Sequence, residues 1–141
     1  MVRVHILPHV RPFFCFSRSE LCRLVQAVVD SFGWKIKDIE VLVTSDQEIA
    51  RMNAEFLGLP GPTNVLSFPL DLNPADGLNG SIVLSAHALQ READLYAQEL
   101  PEHCARLIVH ALLHLAGVEH GQVMESMTAS GVHAARMEME A

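Results

Sequence analysis

The chain has 141 residues, half of them hydrophobic, and a formal net charge of −7. This length suits one domain with its own core, and the modest content of charged residues excludes an intrinsically disordered chain. The acidic balance disfavours a protein that holds duplex nucleic acid through its phosphates, so any RNA contact would depend on a local basic patch, on the bases or on a metal ion.

Sequence features predict a cytoplasmic protein without membrane association. No stretch reaches the roughly 18 uninterrupted apolar residues of a membrane-spanning helix. Charged and polar residues interrupt the apolar N-terminus, unlike in a secretory signal peptide. The three cysteines lack the close-paired spacing of a disulfide framework, which predicts reduced thiols: Cys15, Cys22 and Cys104.

Hydrophobic periodicity predicts about four strands and about five helices. A period of two predicts strands at residues 1–7, 39–44, 64–67 and 80–84. Helices are predicted after capping residues at about 17–32, 45–56 and 85–99, then from Pro101, and more weakly at 124–140. Residues 72–79 have the composition of a polar loop. Because strands and helices do not strictly alternate, we predict an α+β layer fold, with one compact domain over residues 1–141 and a small mixed sheet packed by the helices.

The strongest chemical signal is the segment His-Ala-Leu-Leu-His-Leu-Ala-Gly-Val-Glu-His, residues 110–120. His110 and His114 project from the same helix face because they are four residues apart. Gly117 can end that helix in a left-handed conformation and bring His120 towards the other two. Three imidazoles leave a fourth position on a metal open, as in catalytic zinc sites. We predict a metal site at the end of a central helix, with zinc favoured, although imidazole also suits nickel, copper and iron.

Three alternatives compete with this interpretation. A histidine pair alone would more often be a hydrogen-bonded pair, but the third histidine and the apolar residues between them favour a metal. A structural metal would need a fourth protein ligand, for which Cys104 is poorly placed on the helix. The spacing also matches the metzincin proteases, but their general-base glutamate is replaced here by Ala111, which disfavours that mechanism.

Two segments together resemble a known family. The histidine segment resembles H-G-x-L-H-L-x-G-y-D-H, the signature of the YbeY family of bacterial endoribonucleases, and residues 62–69, Pro-Thr-Asn-Val-Leu-Ser-Phe-Pro, are similar to its other distinctive segment. The order of the segments and the predicted elements also match over nearly the whole chain. The resemblance implies that zinc or another transition metal is held by His110, His114 and His120.

The same resemblance implies a function. It implies hydrolysis of single-stranded RNA during maturation of the 3′ end of small-subunit ribosomal RNA and in ribosome quality control. The metal would activate a water or polarise the phosphodiester. The ribosome, ribosomal proteins and assembly GTPases are the implied partners.

The resemblance also suggests catalytic residues. His114 would serve both as ligand and in catalysis, and residues 63–67 would line a groove in which Ser67 supplies a hydroxyl. The family commonly has an arginine at the position of Leu57, so Arg51, upstream on the same helix, is a candidate for the missing cation. An ordinary strand serine and a solvated arginine remain alternative interpretations of Ser67 and Arg51.

Two rival functions remain open at this point. One is a ribosome-assembly factor that keeps the metal fold but is catalytically weak without an arginine at position 57. The other is a metal-dependent hydrolase of peptides or small molecules, which the acidic charge slightly favours and residues 62–69 disfavour. The resemblance favours a metal-dependent endoribonuclease.

Overall fold

Within residues 1–70 and 76–141, which the computed structural model describes, a four-stranded mixed sheet organises the fold. Its strands are β1 (Val2–Ile6), β2 (Ile36–Thr44), β3 (Val65–Pro69) and β4 (Leu78–Ser85). The spatial order is β1-β2-β4-β3, in which β3 runs antiparallel to β4 and the other neighbours are parallel. In this described sheet β3 is an edge strand, so one side of its backbone is not paired within the sheet.

Five α-helices surround the sheet in the described part of the chain. They are α1 (Arg18–Ser31), α2 (Asp46–Leu57), α3 (Ala86–Leu95), α4 (Leu100–Leu115) and α5 (Gln122–Glu140), and a short 3₁₀-helix covers Arg11–Phe13. Serine side chains cap α1, α2 and α3 by accepting a backbone N–H bond three residues on, at Ser17, Ser45 and Ser85. The α+β architecture and the serine caps are therefore confirmed.

The main core lies between one face of the sheet and α4, which is the central helix. Its side chains at Ile108, Leu112 and Leu115 are completely buried, and it packs against α5, α1 and β3. The opposite face of β4 carries Val83, which packs with Ile49 of α2. Burial on both faces explains the run of apolar residues in β4.

No helix in residues 1–70 and 76–141 combines the length and the apolar character needed to cross a membrane.

Several predicted boundaries were wrong. β2 begins at Ile36 rather than at residue 39, and β3 ends at Pro69 rather than at residue 67. β4 begins at Leu78, two residues inside the predicted loop 72–79, whose residues 72–75 lie outside the described part of the chain. The Leu78 N–H donates to Lys35 O at 2.8 Å, and this long-range contact extends the strand beyond what local turn-forming residues indicate. α3 ends at Leu95 and not near residue 99, because Ala97 has a φ of +53° that a helix does not accommodate.

Gly80 brings β3, β4 and α4 into close contact. A Cβ at this position would lie 2.6 Å from Phe68 O and 2.8 Å from Leu115 Cδ2. Gly80→Ala is therefore expected to lower the free energy of unfolding by about 1–3 kcal/mol, because the backbone of β3 must shift. Urea denaturation measures this loss. Ser81→Ala on the same strand serves as control, with an expected change within about 0.5 kcal/mol. Equal stability of Gly80→Ala and the original protein would contradict the close contact.

Candidate metal centre and groove

The end of α4 positions the three histidines of the signature segment. His110 and His114 lie one turn apart on α4. The helix then ends in a Schellman motif, in which the Gly117 N–H donates to His114 O and the Val118 N–H donates to Leu113 O, each at 3.0 Å. Gly117 has the left-handed φ of +79° that this motif requires. The turn brings His120, which precedes α5, back to the other two.

The three imidazoles converge closely enough for one ion. Their ring centroids are 4.5 Å (His110–His114), 4.8 Å (His114–His120) and 5.5 Å (His110–His120) apart. One nitrogen from each ring lies within 4.8 Å of the others, and the Nε2 atoms of His110 and His114 are 2.9 Å apart. Nitrogens about 2.0–2.1 Å from a tetrahedral zinc would be separated by about 3.3 Å. Small rotations of the rings would therefore bring the three nitrogens to the spacing that zinc requires. Three imidazole nitrogens fit a transition metal.

Burial prepares two of the rings for metal binding. Desolvation lowers the pKa of His110, and the charge of His120 lowers it further. Desolvation also lowers the pKa of His114, followed by the charges of His110 and His120. A lowered pKa favours the neutral imidazole, which is the form that coordinates a metal. In the described part of the chain no cysteine or carboxylate joins this cluster, and Cys104 is buried in the core.

A groove of about 670 Å³ lies beside the histidines. Its walls come mainly from α4 and the edge strand β3. Besides the three histidines its lining residues are Leu57, Asn64, Val65, Leu66, Ser67, Pro69, Arg106, Leu107 and Thr128. Although the chain is acidic, no carboxylate is among these described residues. An anionic ligand would therefore meet little repulsion inside the groove.

The predicted catalytic residues do not all reach this groove. Ser67 lies on its β3 wall, and its Oγ donates to Ala111 O over 3.4 Å, a long and therefore weak bond. Leu57 also lines the groove. Arg51 does not line it, since its guanidinium is bound by Glu48 and Glu55 on the surface of α2. The structure thus brings His114 and Ser67 together, and their catalytic roles and that of Arg51 stay predictions.

Comparison with known proteins identifies the family. The family model described as "Endoribonuclease YbeY" matches residues 15–136. The chain belongs to the YbeY family. A curated relative, "Endoribonuclease YbeY" of Oleidesulfovibrio alaskensis, is 38% identical, and the alignment covers 82% of this chain and 80% of that protein. The protein of the same name from Nitratidesulfovibrio vulgaris is 41% identical over 70% of this chain and 72% of its own length.

A solved structure supports the fold of this YbeY family member. The solution structure of TM1509 from Thermotoga maritima superimposes with a TM-score of 0.69 at 22% sequence identity. The match covers 99% of this chain and 92% of that one. The predicted membership of the YbeY family is confirmed.

A polar network that sequence reasoning missed supports the groove wall of this YbeY chain. Asn64 Nδ2, at the start of β3, donates to both carboxylate oxygens of Glu92 at 3.1 and 3.2 Å. The nearly buried ring of His103 bonds the same carboxylate through Nε2 at 2.9 Å. Glu92 lies on α3 and His103 on α4, so the network ties three elements together. Their separation in sequence hides this contact from local pattern analysis.

Proposed function

We propose that this protein is a metal-dependent endoribonuclease that cleaves single-stranded RNA. The convergence of His110, His114 and His120 beside a groove whose described lining residues include no carboxylate carries the proposal. The curated relatives support the reaction class, since each is named an endoribonuclease. They also make the two rival functions, a catalytically weak assembly factor and a hydrolase of another substrate class, less favoured.

The three histidines would hold the metal, and we propose zinc as the ion. A transition metal with an open coordination position supplies the Lewis-acid chemistry that phosphodiester hydrolysis needs. The chain's own contribution is to hold the three imidazoles together at the end of α4. Burial of His110 and His114 keeps these ligands neutral near pH 7.

The groove walls suit a single strand. Leu57 and Leu107 offer apolar surfaces to unpaired bases, whose faces are covered by stacking in a duplex. Asn64 and Ser67 place polar side chains along the β3 wall. Glu92 occupies the Asn64 Nδ2, so the Asn64 Oδ1 and the weakly bonded Ser67 hydroxyl are the groups that we propose meet the ribose hydroxyls. His114 would act as ligand and so be catalytically essential, whereas Ser67 would orient the strand through its hydroxyl.

We further propose that the substrate is ribosomal RNA near the 3′ end of the small subunit, cut during maturation and quality control in the cytoplasm. Membership of the YbeY family supports this cellular role. The ribosome, ribosomal proteins and assembly GTPases are then the proposed partners. Three free cysteines are consistent with a reducing compartment.

Metal dependence and strand preference together test the proposal. Zinc-loaded protein is expected to cleave a labelled single-stranded RNA, chelator-stripped protein to lose that activity, and added zinc to restore it. The metal content of each sample is measured in parallel, and the same RNA annealed to its complement is the matched control. Cleavage that survives complete metal removal, or equal cleavage of the duplex, would contradict the proposed function.

A further inference from the structure

Arg106 occupies an unusual place in this groove. It lies on α4 four residues before His110, so both side chains project from one helix face about 6 Å apart along the axis. Its Nε is buried and has no hydrogen-bond partner among the described residues. Within the same part of the chain Arg106 forms no ion pair.

Most other arginines of this acidic chain have a partner. Five of them bind carboxylates: Arg3, Arg23, Arg51, Arg91 and Arg136. A buried donor without a partner is costly and therefore needs an explanation, such as a bound water, an ion or a role in a site. Of the three such atoms in the described residues, which belong to Thr44, His103 and Arg106, only that of Arg106 belongs to a residue that lines the groove. Arg106 is also the one permanently charged residue among the described residues that line the groove. The N–H donors of Arg106 and its position in the groove together indicate an anionic ligand.

We propose that Arg106 is the phosphate-binding residue of the groove, whose guanidinium holds the oxygens of an RNA phosphate about one helical turn from His110. This inference rests on the proposed function. The planar guanidinium matches two phosphate oxygens at once. Leu57, on another wall of the groove, has no charge to offer. Arg106, on α4, therefore supplies the cation for which the sequence had made Arg51 a candidate.

Equilibrium binding to metal-free protein tests Arg106 without depending on catalysis. Fluorescence anisotropy with a labelled single-stranded RNA is expected to show about tenfold weaker binding by Arg106→Gln. The slope of log affinity against log salt should fall by about 0.7, the value for one phosphate contact with a single strand. Arg106→Lys keeps the positive charge but loses the paired N–H donors of the guanidinium. We therefore expect about threefold weaker binding and an unchanged salt slope.

A matched variant separates this contact from a change in net charge. Arg3→Gln removes the same charge on β1, at the opposite edge of the sheet from β3, and it should bind RNA as the original protein does. The melting temperature of Arg106→Gln should not fall, because the lost Nε has no protein partner. If Arg106→Gln does not fold, the expected threefold loss in Arg106→Lys carries the test.

The outcomes distinguish this inference from the proposed function. Unchanged binding by Arg106→Gln, or an equal loss in Arg3→Gln, would overturn the role of Arg106 even if the original protein cleaves RNA. A loss in Arg51→Gln alone would move the role to Arg51 and overturn the inference. Absence of both binding and zinc-dependent cleavage in the original protein would refute the proposed function, and the inference with it.

Discussion

His114→Ala is expected to abolish stoichiometric metal binding and to reduce RNA cleavage by more than about a hundredfold. The His114 ring lies next to both other rings, at 4.5 Å from His110 and 4.8 Å from His120. Without it, the two remaining rings are 5.5 Å apart and form an incomplete ligand set. Loss of groups that only support ligands already costs about 10–100-fold in affinity or activity, so loss of a ligand should cost more.

Elemental analysis and a cleavage assay on the same sample measure both effects. His133→Ala is the matched control, because His133 is exposed on α5 outside the cluster. This control should keep its metal and its activity. The His114→Ala protein should remain folded in circular dichroism, since the ring is only partly buried. Full metal occupancy in His114→Ala would show that the three histidines are not the ligand set.

Much of the fold follows from local pattern. Serine caps, helical periodicity and alternation in β1 identify elements through contacts of a few residues, so the sequence alone indicates them. The start of β4 at Leu78 depends instead on pairing with Ile36 across the sheet. Local composition around Gly77 indicates a turn, and only the tertiary contact shows where that turn ends.

The same distinction separates the parts of the site. His110, His114 and Gly117 lie within two turns of one helix, so their convergence with His120 is a local property of the chain. Arg106 and His110 are four residues apart, as His110 and His114 are, so the sequence alone places Arg106 on the same helix face. Its place in a groove wall depends on β3, which forms the other side of the groove through a contact distant in sequence. The contact between Asn64 and Glu92 spans 28 residues and has no local signature.

Glu92→Ala is expected to lower the free energy of unfolding by about 2 kcal/mol and to weaken RNA cleavage while leaving metal content unchanged. The Glu92 carboxylate accepts hydrogen bonds from Asn64 and His103, whose side chain is only 7% exposed. Its removal leaves both donors unpartnered, and hydrogen bonds to a charged group contribute about 1.5–3 kcal/mol. Glu92→Gln keeps the shape and one acceptor oxygen, so it should lose about half as much.

A double-mutant cycle with Asn64→Ala identifies the path from Glu92 to the groove. Urea denaturation of the two single variants and the double variant should give a coupling energy above about 0.5 kcal/mol, because the two side chains bond directly. Purely additive losses would mean that Glu92 does not stabilise the structure through Asn64. Because Asn64 immediately precedes β3, its release is expected to displace the groups of this wall that we propose contact RNA, but not the histidines on α4. Glu92→Ala should therefore lose cleavage activity while it keeps its metal, whereas His114→Ala should lose both.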